Sequence, residues 1–129
     1  KFNTRDGHGF GLLKKHNILT GVVTSENSVI NDKRFKDKLK LDFVVQNKTG
    51  EGKLQAVIKI IKELNISIYE VAYIGDDVNC LNLLENVGFR ACPADSNFRV
   101  LNIPKIIKLK KNGGHGCVRE FIEIILNQN

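Results

Sequence analysis

Apolar residues along this chain recur in two alternating rhythms: short unbroken runs, and longer stretches with a single apolar face. GFGLLKKHNI, from Gly9, predicts a helix, and LTGVVTS, from Leu19, a short strand ending in hydroxyls. SVINDKRFKDKLKL predicts a charged amphipathic helix with Val29, Ile30, Phe35 and Leu39 turned inward. DFVV at 42–45 reads as a second strand, and QNKTGEG as a polar, glycine-bearing loop. The clearest helix covers KLQAVIKIIKEL, where Leu54, Val57, Ile58 and Ile61 fall at i, i+3, i+4 and i+7. VAYIG, from Val71, predicts a buried strand, and LNLLENVG a helix stopped by Gly88. FRACPA then reads as a strand, followed by a loop or half-helix, the last strand IIKL, the turn NGGHG and a final helix over CVREFIEIIL.

Strands alternating with helices predict an α/β fold: a Rossmann-like parallel sheet with helices on both faces. Ligands of such sheets bind beyond the carboxyl ends of the strands. Three polar stations fall there: Thr24 and Ser25, the loop from Lys48 to Lys53, and the adjacent carboxylates Asp76 and Asp77.

Each station admits two readings. Carboxylates at the end of a buried strand are costly without a cation, and Mg²⁺ favours carboxylate oxygens while sharing a phosphate with the protein. An aspartate there also suits a helix N-cap, and one of the pair serves as a cap on that reading. Thr24 and Ser25 offer hydroxyls and backbone N–H groups to a phosphate or carboxylate, or simply cap a helix. Lys53 opens a helix, where a cation opposes the dipole by ~0.3–1 kcal/mol. A bound anion removes that conflict; a plain surface lysine is the alternative. Together, a hydroxyl, a lysine and carboxylates at successive strand ends suit phosphate chemistry.

Composition narrows the partners. With 129 residues and 42% hydrophobic content, one globular domain is expected. No apolar run approaches the ~18–20 residues of a membrane span, and no secretory signal is visible, so no membrane and a cytoplasmic setting are expected. Cys80, Cys92 and Cys117 are scattered, with no CxxC spacing, and read as small buried hydrophobes. Net charge is +6, concentrated in NDKRFKDKLK at 31–40 and KIIKLKK at 105–111. Acidic residues interleave the first cluster and no stacking aromatics accompany either, so no nucleic acid is expected. A small anionic substrate fits.

VVTSEN, GKL, VAYIGDDVN and NGGHGCVRE, in that order, resemble the haloacid dehalogenase-like phosphatases. The similarity is greatest to their capless sugar-acid branch: the 3-deoxy-D-manno-octulosonate 8-phosphate phosphatases, the acylneuraminate 9-phosphate phosphatases and the phosphatase-like domain of some acylneuraminate cytidylyltransferases. FNTRDGHGFGLLK matches the stretch after the family's first hairpin, so the resemblance spans nearly all of residues 1–129 as one domain. It implies an Mg²⁺-dependent phosphomonoesterase that hydrolyses a phosphorylated eight- or nine-carbon keto-sugar acid through an aspartyl-phosphate. It assigns Thr24 and Lys53 to catalysis and Asp76 and Asp77 to the metal. Ser25, Arg5, Asp6 and His115 are placed at the substrate. A homotetramer is implied as well, the tail of one subunit approaching a neighbour's site.

Three departures stand out. Cys80 sits where the family carries a further aspartate after GDD, and His115 where many relatives have arginine. The DxDG motif of the family's first, central strand, which supplies the nucleophile and the general acid–base, is not found in the chain. Since the chain contains no methionine and opens KFNTRDG, residues ahead of Lys1 carrying that strand and hairpin are expected. The competing reading is a catalytically inactive accessory or oligomerisation domain of an acylneuraminate cytidylyltransferase. A phosphoacceptor receiver domain also groups aspartates and a lysine on a parallel sheet, but its motif order and the GGHG tail fit poorly.

Overall fold

The computed structural model describes residues 12–23, 42–46, 48–113 and 116–127. After a helical turn at 12–15 come β1 (Gly21–Val23), β2 (Phe43–Val45) and α1 (Glu51–Glu63). Then follow β3 (Ala72–Ile74), α2 (Leu81–Asn86), β4 (Phe89–Cys92), α3 (Phe98–Leu101), β5 (Ile107–Lys108) and α4 (Cys117–Asn127). Single 3-10 turns at Ile68–Glu70 and Val78–Cys80 flank β3. The predicted helix over 28–41 lies outside the described residues.

All strand pairs are parallel: β1 with β2, and β4 between β3 and β5. Among the described residues the sheet therefore comes in two pieces, with no ladder joining β1 to β3. One core nevertheless serves both. Val23 of β1 packs, with Val71 and Tyr73, on Leu54 and Val57 of α1 and on Leu83 and Val87 at α2.

Strand alternation assigns the two faces. Tyr73 and Cys92 look toward Cys80, Leu84 and Val100, under α2 and α3. Ile74, Phe89, Ala91 and Ile107 look the other way, onto Cys117 and Phe121 of α4. Phe89 and Phe121 stack there with centroids 5.6 Å apart. Helices thus cover both faces, as the alternating pattern predicts. All three cysteines are buried and none is in a disulfide, as expected of small apolar residues.

The sequence pattern misleads in places. The helical spacing predicts that Ile58 faces inward, yet it is 37% exposed, while Lys53, five residues earlier on α1, is buried. VAYIG was expected to be a buried strand; in β3, Ala72 is exposed and Tyr73 and Ile74 only half-buried. The reason is lateral: among the described residues β3 pairs with β4 alone, so one edge carries no neighbour. Gly88 does follow α2, whose C-cap is Val87. Its lack of a side chain is needed for close approach, since a Cβ there would collide with the Tyr69 carbonyl.

Candidate functional site

Because the strands are parallel, their carboxyl ends share one rim. Gly75, Asp76 and Asp77 leave β3 there, and Pro93, Ala94 and Asp95 leave β4. Lys53 reaches this region from the first turn of α1, which returns from β2.

Lys53 is 6% exposed, so the surface-lysine reading fails. Its Nζ lies 3.8 Å from Cys80 Sγ, and no carboxylate of the described residues pairs with it. The Tyr73 hydroxyl donates to the same sulfur at 3.4 Å. Burial, then the adjoining Cys80, then the charge of Asp76 push the Tyr73 phenol far above its ordinary value. Cys80 therefore stands at the centre of the cluster. Gly75 makes room for it: a Cβ at Gly75 would lie 2.7 Å from Cys80 Cβ and 2.8 Å from its sulfur.

Asp76 and Asp77 differ in their bonding. Asp77 caps the turn that follows, its Oδ1 accepting from Val78 N at 2.6 Å. No described group donates to the Asp76 carboxylate. Only its backbone is engaged, the carbonyl accepting from Asn97 N at 3.0 Å, which ties the β3 and β4 loops together. Both aspartates are exposed, so burial is not what demands a cation. Asp76 is the carboxylate of the pair that no described group engages. Among the described residues no three His, Cys, Asp or Glu side chains converge as a ready metal cage.

Thr24, Ser25, Arg5, Asp6 and His115 lie outside the described residues. Of the expected residues that are described, Lys53 lies against Cys80, and Cys80 lies against Tyr73 and against Gly75, the residue before Asp76. Sequence reasoning missed Tyr73, which it read only as core. It also noted Cys80 without assigning it a contact. Spacing held the only available signal: Tyr73 and Cys80 flank the carboxylates at equal distance, each three residues away.

The fold and rim are those of one family. Residues 41–121 match the haloacid dehalogenase-like hydrolases, and the chain belongs to that family. Among its members, the chain is 31% identical over 127 residues to the 3-deoxy-D-manno-octulosonate 8-phosphate phosphatase KdsC of Salmonella typhi, covering 97% of this chain and 64% of that protein. The Yersinia pestis counterpart is 30% identical over 128 residues. Among solved structures, a probable YrbI family phosphatase from Pseudomonas syringae superposes with TM-score 0.91 at 31% identity, over 98% of this chain and 70% of that one. The Moraxella catarrhalis 3-deoxy-D-manno-octulosonate 8-phosphate phosphatase, solved with magnesium, phosphate and its sugar acid, superposes with TM-score 0.89 at 31% identity, over 98% of this chain and 70% of that one. The chain spans about 64% of the length of the Salmonella relative.

Proposed function

We propose that this protein is a phosphatase for a phosphorylated eight- or nine-carbon keto-sugar acid, with 3-deoxy-D-manno-octulosonate 8-phosphate as the leading substrate. One observation carries the reading: Lys53 is a buried ammonium whose only described partner is a thiol. A buried cation without a counter-charge is costly, and a phosphoryl group supplies the missing negative charge. The relatives supply the substrate class.

In this reading Lys53 binds the phosphoryl oxygens and stabilises the charge that builds on them during transfer. Cys80, itself bonded by the Tyr73 hydroxyl, holds the lysine in place. Thr24 holds another phosphoryl oxygen, and Ser25, Arg5, Asp6 and His115 face the sugar acid. Asp76, with Asp77 beside it, would hold Mg²⁺, which when bound neutralises phosphoryl charge. Transfer proceeds through an aspartyl-phosphate, as the family resemblance implies.

The test is phosphate release from 3-deoxy-D-manno-octulosonate 8-phosphate by the purified protein, with Mg²⁺ and again after chelation. Turnover that needs the metal supports the reading. Tight binding of the sugar-acid phosphate with no turnover would favour the accessory-domain reading instead.

A further inference from the structure

The segment from Lys110 to Gly113 leaves β5 with almost no side-chain packing: Lys110, Lys111 and Asn112 are exposed and Gly113 is half-buried. Its backbone is nevertheless tied at four polar atoms. The Glu120 carboxylate on α4 accepts from Lys110 N at 3.0 Å through Oε1 and at 2.9 Å through Oε2. The same Oε1 accepts from Lys111 N at 3.0 Å. Lys111 O accepts from Ala94 N at 2.9 Å, and Gly113 N donates to Asp95 Oδ1 at 2.9 Å. So held, Gly113 borders the site: a Cβ on it would lie 3.8 Å from Asp76 Oδ2 and 3.7 Å from Asp95 Oδ1.

We propose that Glu120 is a positioning residue that fixes segment 110–113 as the wall on the Asp76 side of the site, with Asp95 as the second anchor. The role of that wall in substrate binding rests on the phosphatase reading above. A polar loop with two lysines and a glycine has no apolar contacts to order it. One carboxylate accepting two consecutive N–H groups, the first shared between both of its oxygens, does so instead, with the strength of charge-assisted bonds. Glu120 touches no reacting atom; it acts through the segment it holds.

Two measurements test this on the intact protein. In Glu120→Gln, which keeps the size and one acceptor oxygen, amide exchange at Lys110 and Lys111 should quicken about tenfold or more, the cost of roughly one charge-assisted bond. KM for 3-deoxy-D-manno-octulosonate 8-phosphate should rise by a similar factor of about ten while kcat at saturation holds, because a loosened wall weakens binding rather than chemistry. Asp95→Asn should act in the same direction from the other anchor, and serves where a Glu120 variant folds poorly. Unchanged exchange at these amides would overturn the clamp. Faster exchange with unchanged KM would overturn the positioning role, leaving Glu120 a fastening of the fold. A wild-type protein that turns over no phosphate ester sinks the phosphatase reading, and the exchange rates then decide alone whether Glu120 holds the segment.

Discussion

Lys53 and its two neighbours separate function from stability at the level of single side chains. Lys53, buried against the Cys80 thiol, has no carboxylate partner among the described residues, and in the phosphatase reading its partner is an incoming anion. Lys53→Met should therefore lower kcat/KM by roughly 100-fold or more, the scale of losing one transition-state charge contact. Its urea midpoint should hold or rise, because an apolar side chain replaces an uncompensated charge. A variant that loses stability and activity together would show that Lys53 is part of the core instead. Tyr73 makes the opposite case. Burial and the adjoining Cys80 raise its phenol above the usual value, so the folded state keeps the proton longer than the unfolded chain does. That stability is complete below the unfolded-state value near 10 and drains away as pH climbs above it. Wild type should lose about 1.4 kcal/mol per pH unit more than Tyr73→Phe in that alkaline window. Parallel curves for the two proteins would mean that the phenol is not held in its neutral form.

Among the elements, the tightest constraint lies where α2 hands over to β4. Gly88 passes against the Tyr69 carbonyl, in a turn capped by Ser67 and Glu70 acting reciprocally. Gly88→Ala should cost about 1–3 kcal/mol of unfolding free energy by overpacking, with backbone having to move. Equilibrium denaturation reads this directly, and a cost near zero would mean that the 3-10 turn yields freely. The sequence shows the glycine as a helix stop, but not the carbonyl that makes it necessary, since that contact spans nineteen residues of chain (Tyr69 to Gly88). The same division runs through the fold. Periodicity finds β2, α1, β3, α2, β4 and α4, because burial on one face or two leaves a periodic mark. It overstates the ends: IIKL shrinks to Ile107–Lys108, and VAYIG to Ala72–Ile74. It also puts Ile58 inside and leaves Lys53 undecided, because a helical wheel cannot tell which edge of an apolar stripe meets a neighbour. In the site, GDD is legible as carboxylates on a strand end. The split into a capping Asp77 and an unbonded Asp76 needs the backbone geometry of the following turn. Glu120 reads in sequence as one more charge on a helix face; only the return of segment 110–113 shows what it holds.

At the scale of the whole molecule, the described sheet is two parallel pieces on one core, and its rim holds the Asp76 carboxylate, which no described group engages. Among the described residues no helix is long and apolar enough to cross a membrane. In the phosphatase reading the partner is a small anion, which the net charge of +6 suits. A ligand that binds only the folded state stabilises it by mass action, by about 2.7 kcal/mol at a hundred times its Kd. For a chain of this size that amounts to a melting shift of about 10 °C. Inorganic phosphate should produce such a shift, and chloride at equal ionic strength should not, since screening alone acts on exposed pairs without filling a site. If Lys53 and Asp76 serve one site, phosphate and Mg²⁺ together should shift the melt by more than the sum of their separate effects, because each then raises the other's affinity. Lys53→Met should remove the phosphate shift and Asp76→Asn the Mg²⁺ shift, and either substitution should abolish the excess. Shifts that merely add in the wild-type protein would place the two ligands at independent sites, and the rim would no longer be one phosphate-and-metal centre.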